Sequence, residues 1–420
     1  MRILMPILHY PPIIGGFEIF SQNIAERIGK TDNVFVITSR VANAPSKEIN
    51  NNLRILRTSP WSLKNLSYSK PWFIVGAMIW IFFKSIRLIR REKIELIHAQ
   101  GFLSGIIGLI LKKLTKVPYL LTIQSADFSV YHPRLNINII KAVYKRMEKA
   151  VFKNADYCHA VSNYLADHMK QYHVQKVEMI PNGVNWEKFS PDVNKLKTRK
   201  ELGFDAENLI VCVSRLEHKN GTHDLIEAID ILNRGYTQNK SRQVGNTQTN
   251  ADISASISVS PKADNQRVSA DIKLMICGSG SEKEKLEKMI KDFNLEDRVF
   301  LLGDILHSEL PKYVACADIF VRPSLAEGFG IVFLEAMACN IAVIGTPVGG
   351  IPDFLKDRET GLLCEAGNPK DIAEKIKILI QDKILREKLV KNSRQMVLRE
   401  YGWDKISEKL RKLYAKIINC

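Results

Sequence analysis

The seven cysteines of this 420-residue chain include no CxxC pair, which leaves no dithiol redox motif and no zinc-type spacing. They are odd in number and scattered: Cys158, Cys212, Cys277, Cys316, Cys339, Cys364 and Cys420. That excludes a disulfide framework. Most lie in apolar runs such as LIVCVS and IKLMICG, where a thiol packs as a small hydrophobe, a usage that fits a reducing compartment. No internal repeat stands out. The uncharged run from Pro71 to Phe83 covers thirteen residues, too few to cross a bilayer. The opening MRILMPILHYPPIIGG reads as a buried strand and a Pro/Gly loop, too quickly interrupted for a signal peptide. A cytoplasmic protein is expected.

What is present is a full-sized core. Hydrophobic residues make up 45% and charged residues 25%, which excludes a disordered chain, a collagen-like repeat and a polytopic membrane protein. The length suits two domains of about 150–200 residues each. Lys and Arg number 61 against 45 Asp and Glu, a net charge of +16. Residues 1–190 hold 26 basic and 12 acidic side chains, and residues 191–420 hold 35 and 33. Nearly all the excess lies in the first half, which therefore faces something anionic.

Short apolar runs alternate with helical periods, the signature of a parallel α/β architecture. Strands are expected at Arg2–Leu8, Val34–Thr38, Leu96–His98, Tyr119–Ile123 and Tyr157–Val161, with helices at 19–28, 72–92, 102–114 and 138–154. A strand then runs into the Pro-Asn-Gly turn of VEMIPNGVNWEKF, and the first domain ends near residue 190. The rhythm restarts with strands at Leu209–Val213, Ile272–Cys277, Val299–Leu302, Ile319–Arg322 and Ala342–Gly345. Helices are expected at 221–233, 281–293, 331–338 and 370–400, and an amphipathic helix at Trp403–Ile417. Residues 236–270 are rich in Ser, Asn, Gln and Thr and lack a sustained apolar period, so they read as a disordered insertion.

Three groups in the second half suit one ligand. Arg215 and Lys219 in SRLEHKNG follow a strand end, where two cations and free N–H groups suit a diphosphate, although solvated surface charge is the commoner reason for such a pair. Gly278 and Gly280 in GSGSE allow either close approach of a phosphate or a tight turn. In PSLAEGFGIVFLEAMA, Glu327 precedes Gly328, Phe329 and Gly330, and a helix opening near Ile331 carries Glu335 more than one turn inside. A carboxylate suits a ribose diol. Among Phe333, Leu334 and Met337, Glu335 is costly without a partner.

These pieces resemble the group 1 (GT4-type) retaining glycosyltransferases of GT-B fold. The likeness runs from PPIIGGFE through IPNGVNWEKF, SRLEHKNG, ICGSG, EGFGIVFLE and VGGIPDFLKDRETGLLCEAGNP to YGWDKISEKLRKLY. It implies two Rossmann-like doubly wound domains with a cleft between them: residues 1–190 for the acceptor, residues 191–400 for the nucleotide sugar, and a helix at 401–420 crossing back to the first. It also implies that Arg215 and Lys219 bind the donor diphosphate, Glu327 the sugar, the backbone of Gly328–Ile331 with Gly278 and Gly280 the sugar and phosphate, and Glu335 the ribose. Gly15 and Gly16 would form a loop over phosphates and acceptor. No metal and no cofactor is implied. Many relatives carry a His where this chain has Gln124, and that His contacts the donor sugar and phosphate, so its role falls to Gln124, to Asp127 or to nothing. Asn185 and Asp353 are further departures.

Residues 53–153 contain 18 Lys or Arg and four Asp or Glu. Two Trp and several Phe in 71–93 stand beside Lys84, Arg87, Arg90 and Arg91, and Lys141, Lys145, Arg146 and Lys149 repeat the pattern in 138–153. Helices of this kind suit an anionic lipid interface, or else pack on the sheet with a solvated basic edge. No stacking motif or recognition helix accompanies the charge, which disfavours nucleic acid. The sequence therefore predicts a metal-independent glycosyltransferase acting from a UDP- or GDP-sugar on a glycan or lipid-linked acceptor at the cytoplasmic membrane face. A soluble sugar-phosphate-accepting enzyme and a non-catalytic nucleotide-sugar binder are the alternatives.

Overall fold

The computed structural model describes residues 1–13, 15–42, 44–62, 71–125, 138–234 and 271–420. Asp127 and the 236–270 segment lie outside them. The chain forms two compact units, one of Met1–Val184 with Glu400–Cys420 and the other of Asn185–Arg399.

The first unit is built on eight strands: β1 (Arg2–Pro6), β2 (Asn33–Arg40), β3 (Lys47–Asn50), β4 (Leu53–Ser62), β5 (Leu96–Gln100), β6 (Tyr119–Ile123), β7 (Tyr157–Ala160) and β8 (Val177–Met179). Their order is β3-β4-β2-β1-β5-β6-β7-β8, and only the β3–β4 pair is antiparallel. Ile3, Leu4, Met5, Leu120 and Leu121 are wholly buried, as expected of parallel strands covered on both faces. From β1 the chain winds outward to β3, and from β5 it winds the other way to β8. The order therefore reverses between β1 and β5, the position where open α/β sheets bind ligands beyond the strand carboxyl ends.

The helices at Gly16–Ile28, Pro71–Glu92, Gly101–Thr115 and Asn138–Lys153 fall where the apolar periods place them. The second of these extends past its uncharged run and is, by length and composition alone, long and apolar enough to cross a membrane. Ala77, Ile81, Ser85 and Ile89 are nevertheless buried against the unit's own sheet and neighbouring helix. That leaves only the opposite face for any other partner.

The last helix, Trp403–Ile418, belongs to the first unit. Its Trp403 is buried 5.9 Å from the Phe20 ring, and Arg411 Nε reaches Asp32 Oδ2 at 2.7 Å. Beneath it runs a chain of buried hydrogen bonds whose directions follow from chemistry. The Ile180 carbonyl can only accept, so His159 Nε2–H donates to it at 2.7 Å. Nδ1 of His159 then accepts from the Thr122 hydroxyl at 2.8 Å, and Thr122 accepts in turn from His98 Nε2–H at 2.7 Å. His98 Nδ1 is left to accept from Tyr414 O–H at 2.6 Å. Both imidazoles are thereby fixed as neutral Nε2–H tautomers.

The second unit has six parallel strands, β9 (Asn208–Val213), β10 (Ile272–Cys277), β11 (Val299–Gly303), β12 (Ile319–Arg322), β13 (Ala342–Gly345) and β14 (Leu362–Leu363), ordered β11-β10-β9-β12-β13-β14. Here the order reverses between β9 and β12. Helices at 222–234, Lys283–Asp292, Ile331–Ala338, Pro369–Gln381 and Lys383–Glu400 cover the sheet. The expected helical region at 370–400 holds two helices, divided at Asp382.

Candidate functional site

The β9 and β12 carboxyl ends carry the residues singled out in the second half. Arg215 and Lys219 leave β9, and Glu327 to Gly330 leave β12, so both groups flank the reversal point. The two loops are stitched together: the Lys219 carbonyl accepts from Leu325 N at 2.7 Å and from Ala326 N at 3.3 Å. Arg322, the last residue of β12, donates from Nη2 to Asn220 Oδ1 at 3.0 Å.

The charged groups of this end converge. Glu217 takes Arg215 Nη1 on one oxygen at 2.9 Å and lies 3.7 Å from Lys219 Nζ through the other. Glu327 Oε2 is 2.7 Å from Arg322 Nη2, while its Oε1 accepts from Gly328 N at 3.0 Å. Burial, followed by the Arg215 charge, holds the Lys219 pKa below its ordinary value, with Glu217 and Glu327 opposing. A bound anion would relieve that cost.

Glycines set the shape of these loops. Gly330 has φ +91° and caps the Ile331–Ala338 helix, and a Cβ there would lie 2.8 Å from the Phe333 ring. At Gly349, with φ +56°, a Cβ would stand 1.6 Å from the Glu327 carbonyl oxygen. The loop after β13 thus presses directly on the backbone of Glu327. Gly349→Ala is expected to displace Glu327 and lower kcat/KM about a hundredfold, the scale of an ångström-sized misplacement, as measured by steady-state kinetics. Gly278 and Gly280 follow β10, and Cβ atoms there would lie 2.0 Å from Ser214 O and 2.3 Å from Leu216 O. Gly278 N donates to Gly303 O at 2.7 Å, so close loop packing alone already requires glycine. Phe329 is buried edge-on against Phe354, and Ile331 is buried as well, so what these two offer a ligand is backbone.

Glu335 is 4% exposed and has a partner that the sequence did not reveal. His307 Nε2 lies 3.0 Å from its Oε1, and Lys188 Nζ lies 3.2 Å from His307 Nδ1. A lysine ammonium only donates, so Nδ1 accepts and Nε2–H donates to the carboxylate. Burial lowers the Lys188 pKa and Glu335 opposes it. His307 and Lys188 stand 28 and 147 positions from Glu335 in the chain, His307 in a loop with no motif to mark it and Lys188 within IPNGVNWEKF, whose pattern does not point to Glu335.

In the first unit, Gly15, extended at φ −167°, is the N-cap of the helix after β1, and Gly16 is that helix's first residue. Gln124 follows β6. Beside them the structure adds residues that sequence reading passed over. His9, after β1, is 4% exposed, and Gln100, at the end of β5, is 1% exposed. His9 Nε2, Gln100 Nε2 and Gln124 Nε2 are buried without a hydrogen-bond partner among the described residues. Burial lowers the His9 pKa to about 4, so its imidazole is neutral at pH 7. Unpaired buried polar atoms at a sheet's reversal point mark a place where a polar ligand fits.

Two Rossmann-like parallel sheets, each with polar groups gathered at its reversal point, define the architecture of a GT-B glycosyltransferase. The model of the glycosyl transferases group 1 family matches residues 237–396, and that of glycosyltransferase family 4 matches residues 14–188. The chain belongs to this group 1, GT4-type family of glycosyltransferases. An uncharacterised glycosyltransferase of Methanocaldococcus jannaschii is 26% identical over 99% of this chain and 98% of its own length. Among solved structures, sucrose-phosphate synthase from Thermosynechococcus elongatus matches with a TM-score of 0.79 at 22% identity, covering all of both chains. Anabaena HepE, crystallised with UDP, matches with a TM-score of 0.73 at 17% identity over 99% of this chain and 100% of its own.

Proposed function

We propose that the protein transfers a glycosyl group, with retention of configuration and without a divalent metal, from a nucleoside-diphosphate sugar to a glycan or lipid-linked acceptor at the cytoplasmic membrane face. The observation that carries this reading is the convergence of Arg215 and Lys219 on the single Glu217 carboxylate beside Glu327, at the β9/β12 reversal. A diphosphate placed there exchanges Glu217 for its own oxygens. When the bond from the anomeric carbon to the phosphate oxygen breaks, its electron pair stays on the diphosphate, where the two cations stabilise the growing charge. They supply the positive charge a metal would otherwise bring. The acceptor hydroxyl attacks the face the diphosphate leaves, and its proton passes to the departing phosphate oxygen. Glu327 holds the sugar, and Glu335, oriented by His307, accepts from the ribose hydroxyls. His9 and Gln100 offer hydrogen bonds to acceptor hydroxyls, while the donor sugar and phosphate contact of the histidine of related enzymes falls to Gln124, to Asp127 or to nothing.

A panel of UDP- and GDP-sugars, assayed for nucleoside diphosphate release with lipid extract and EDTA present, tests the reading. Turnover of one donor, lost in Glu327→Ala, is expected. Binding of every donor with turnover of none would instead make the protein a nucleotide-sugar binder.

The membrane part rests on the outward face of the Pro71–Glu92 helix. Trp72, Val75, Ile79, Trp80 and Phe83 are exposed along its first turns, followed by exposed Lys84, Arg87, Arg90 and Arg91. Exposed Lys145, Arg146 and Lys149 on the Asn138–Lys153 helix add to the positive charge. Apolar rings beside cations suit an anionic bilayer surface. The protein should sediment with phosphatidylglycerol-containing vesicles and be released by salt, and equal partition to neutral vesicles would refute this.

A further inference from the structure

The second unit holds a pocket of about 490 Å³ unrelated to the donor loops, within the usual size range of small-molecule sites. Asp318 and Asn340 line it, and they immediately precede β12 and lie two residues before β13. The pocket therefore opens at the amino ends of these strands, whereas Glu327 and Gly330 lie beyond the carboxyl end of β12.

Its lining is strongly cationic. Lys195 enters from one side, and Arg386, Lys391 and Arg394 from the Lys383–Glu400 helix. Arg386 and Arg394 are eight positions apart, two turns along one helix face, with Val390 between them. Both are half-buried, and neither their side chains nor that of Lys391 has a hydrogen-bonded or ion-paired partner among the described residues. The acidic side chains of the pocket are already engaged. Asp318 Oδ2 accepts from Arg199 Nη2 at 2.7 Å and from Leu209 N at 2.9 Å. Glu387 is exposed and lies 3.9 Å from Lys383. Lys195 Nζ gives one hydrogen to Ala317 O at 2.8 Å, which leaves the others available. Val390 and Leu398 add apolar surface for a carbon skeleton.

Like charges gathered in a concavity repel one another, and Asp318, which already pairs with Arg199, offsets only part of that at Lys195, so entry of an anion is favoured. Guanidinium forks favour the oxygens of phosphate, which carries more charge than a single carboxylate. We infer that this pocket is a second ligand site, which binds a small phosphate ester or diphosphate through Arg386, Arg394, Lys391 and Lys195. The inference does not depend on the donor chemistry proposed above.

Calorimetry and thermal unfolding of the full chain with glycerol 3-phosphate and with inorganic pyrophosphate, at constant ionic strength, test it. Saturable binding and a raised Tm are expected in the native protein. They should persist in Arg215→Ala/Lys219→Ala, which removes the donor-side cations. Arg386→Gln/Arg394→Gln should bind at least about tenfold more weakly, since each lost charge-assisted contact is worth about a factor of ten or more. Should that pair fail to fold, Lys391→Gln, at an exposed position, is expected to weaken binding in the same direction. Equal stabilisation by sulfate and by chloride at matched ionic strength, unaltered binding in the folded variants, or loss of binding only in Arg215→Ala/Lys219→Ala would overturn the inference.

Discussion

In Lys219→Ala, kcat for transfer falls by about a hundred- to a thousandfold, the cost of removing one preorganised group from a developing oxyanion. Lys219 is the stronger of the two loop cations because of where it stands. Its side chain is 24% exposed against 65% for Arg215, so solvent screens it less and its field at the diphosphate is larger. Arg215→Ala should therefore cost less than Lys219→Ala. Glu217 pairs with both cations before a donor arrives, and binding must displace it, so Glu217→Gln should tighten donor binding. Initial rates of nucleoside diphosphate release across the three variants provide the measurement. A rise in KM with kcat unchanged in Lys219→Ala would show that this cation acts equally on donor and transition state, and the catalytic role would be wrong.

The second large effect is on stability in acid. His98 and His159 are fully buried and held neutral by the hydrogen-bond chain that runs from Tyr414 to Ile180. Burial lowers the His159 pKa to about 4 and that of His98 well below its ordinary value, with the neighbouring His159 adding to the shift at His98. Below pH 6.5 the unfolded chain binds protons that these folded imidazoles refuse, so stability falls with pH. The contribution is fully present above pH 6.5 and is lost as pH drops toward 4. For His159 alone the shift is worth about 3 kcal/mol. The Tm of the intact chain should drop between pH 7 and pH 5 by more than surface carboxylates account for. Tyr414→Phe removes the donor to His98 Nδ1 and should lower stability by about 1–3 kcal/mol at pH 7, the usual cost of leaving a buried acceptor unpaired. A Tm that is flat across this range would mean that the two imidazoles are not held neutral.

Long-range order was legible where apolar periodicity was strong. Tyr119–Ile123, Ile319–Arg322, Ile331–Ala338 and Ala342–Gly345 occupy the residues that the pattern assigns them, because nearly every residue in each is buried. The β3 strand, Lys47–Asn50, escaped notice because it is an exposed edge element with Lys and Glu in its four residues. The helices Lys195–Glu201 and Leu310–Ala315 are too short for a period, and the first is charged over most of its length. At the site, the residues within motifs were readable and their partners were not. Arg322 could be assigned to a strand but not to Glu327, and nothing near Glu335 pointed to His307. His9 and Gln100 look like the ends of apolar runs, and only the order β1-β5-β6 places them beside the position of Gln124.

The chain leaves the first unit at Val184, builds the whole second unit, and then returns at Glu400. During translation the first sheet, with all its strands made, must wait for a helix made only after more than two hundred further residues, while the second unit emerges as one uninterrupted stretch able to fold on arrival. A stop codon at any position from 400 to 403 would thus leave the later-made unit whole and strip the earlier one of Trp403, Tyr414 and their buried contacts.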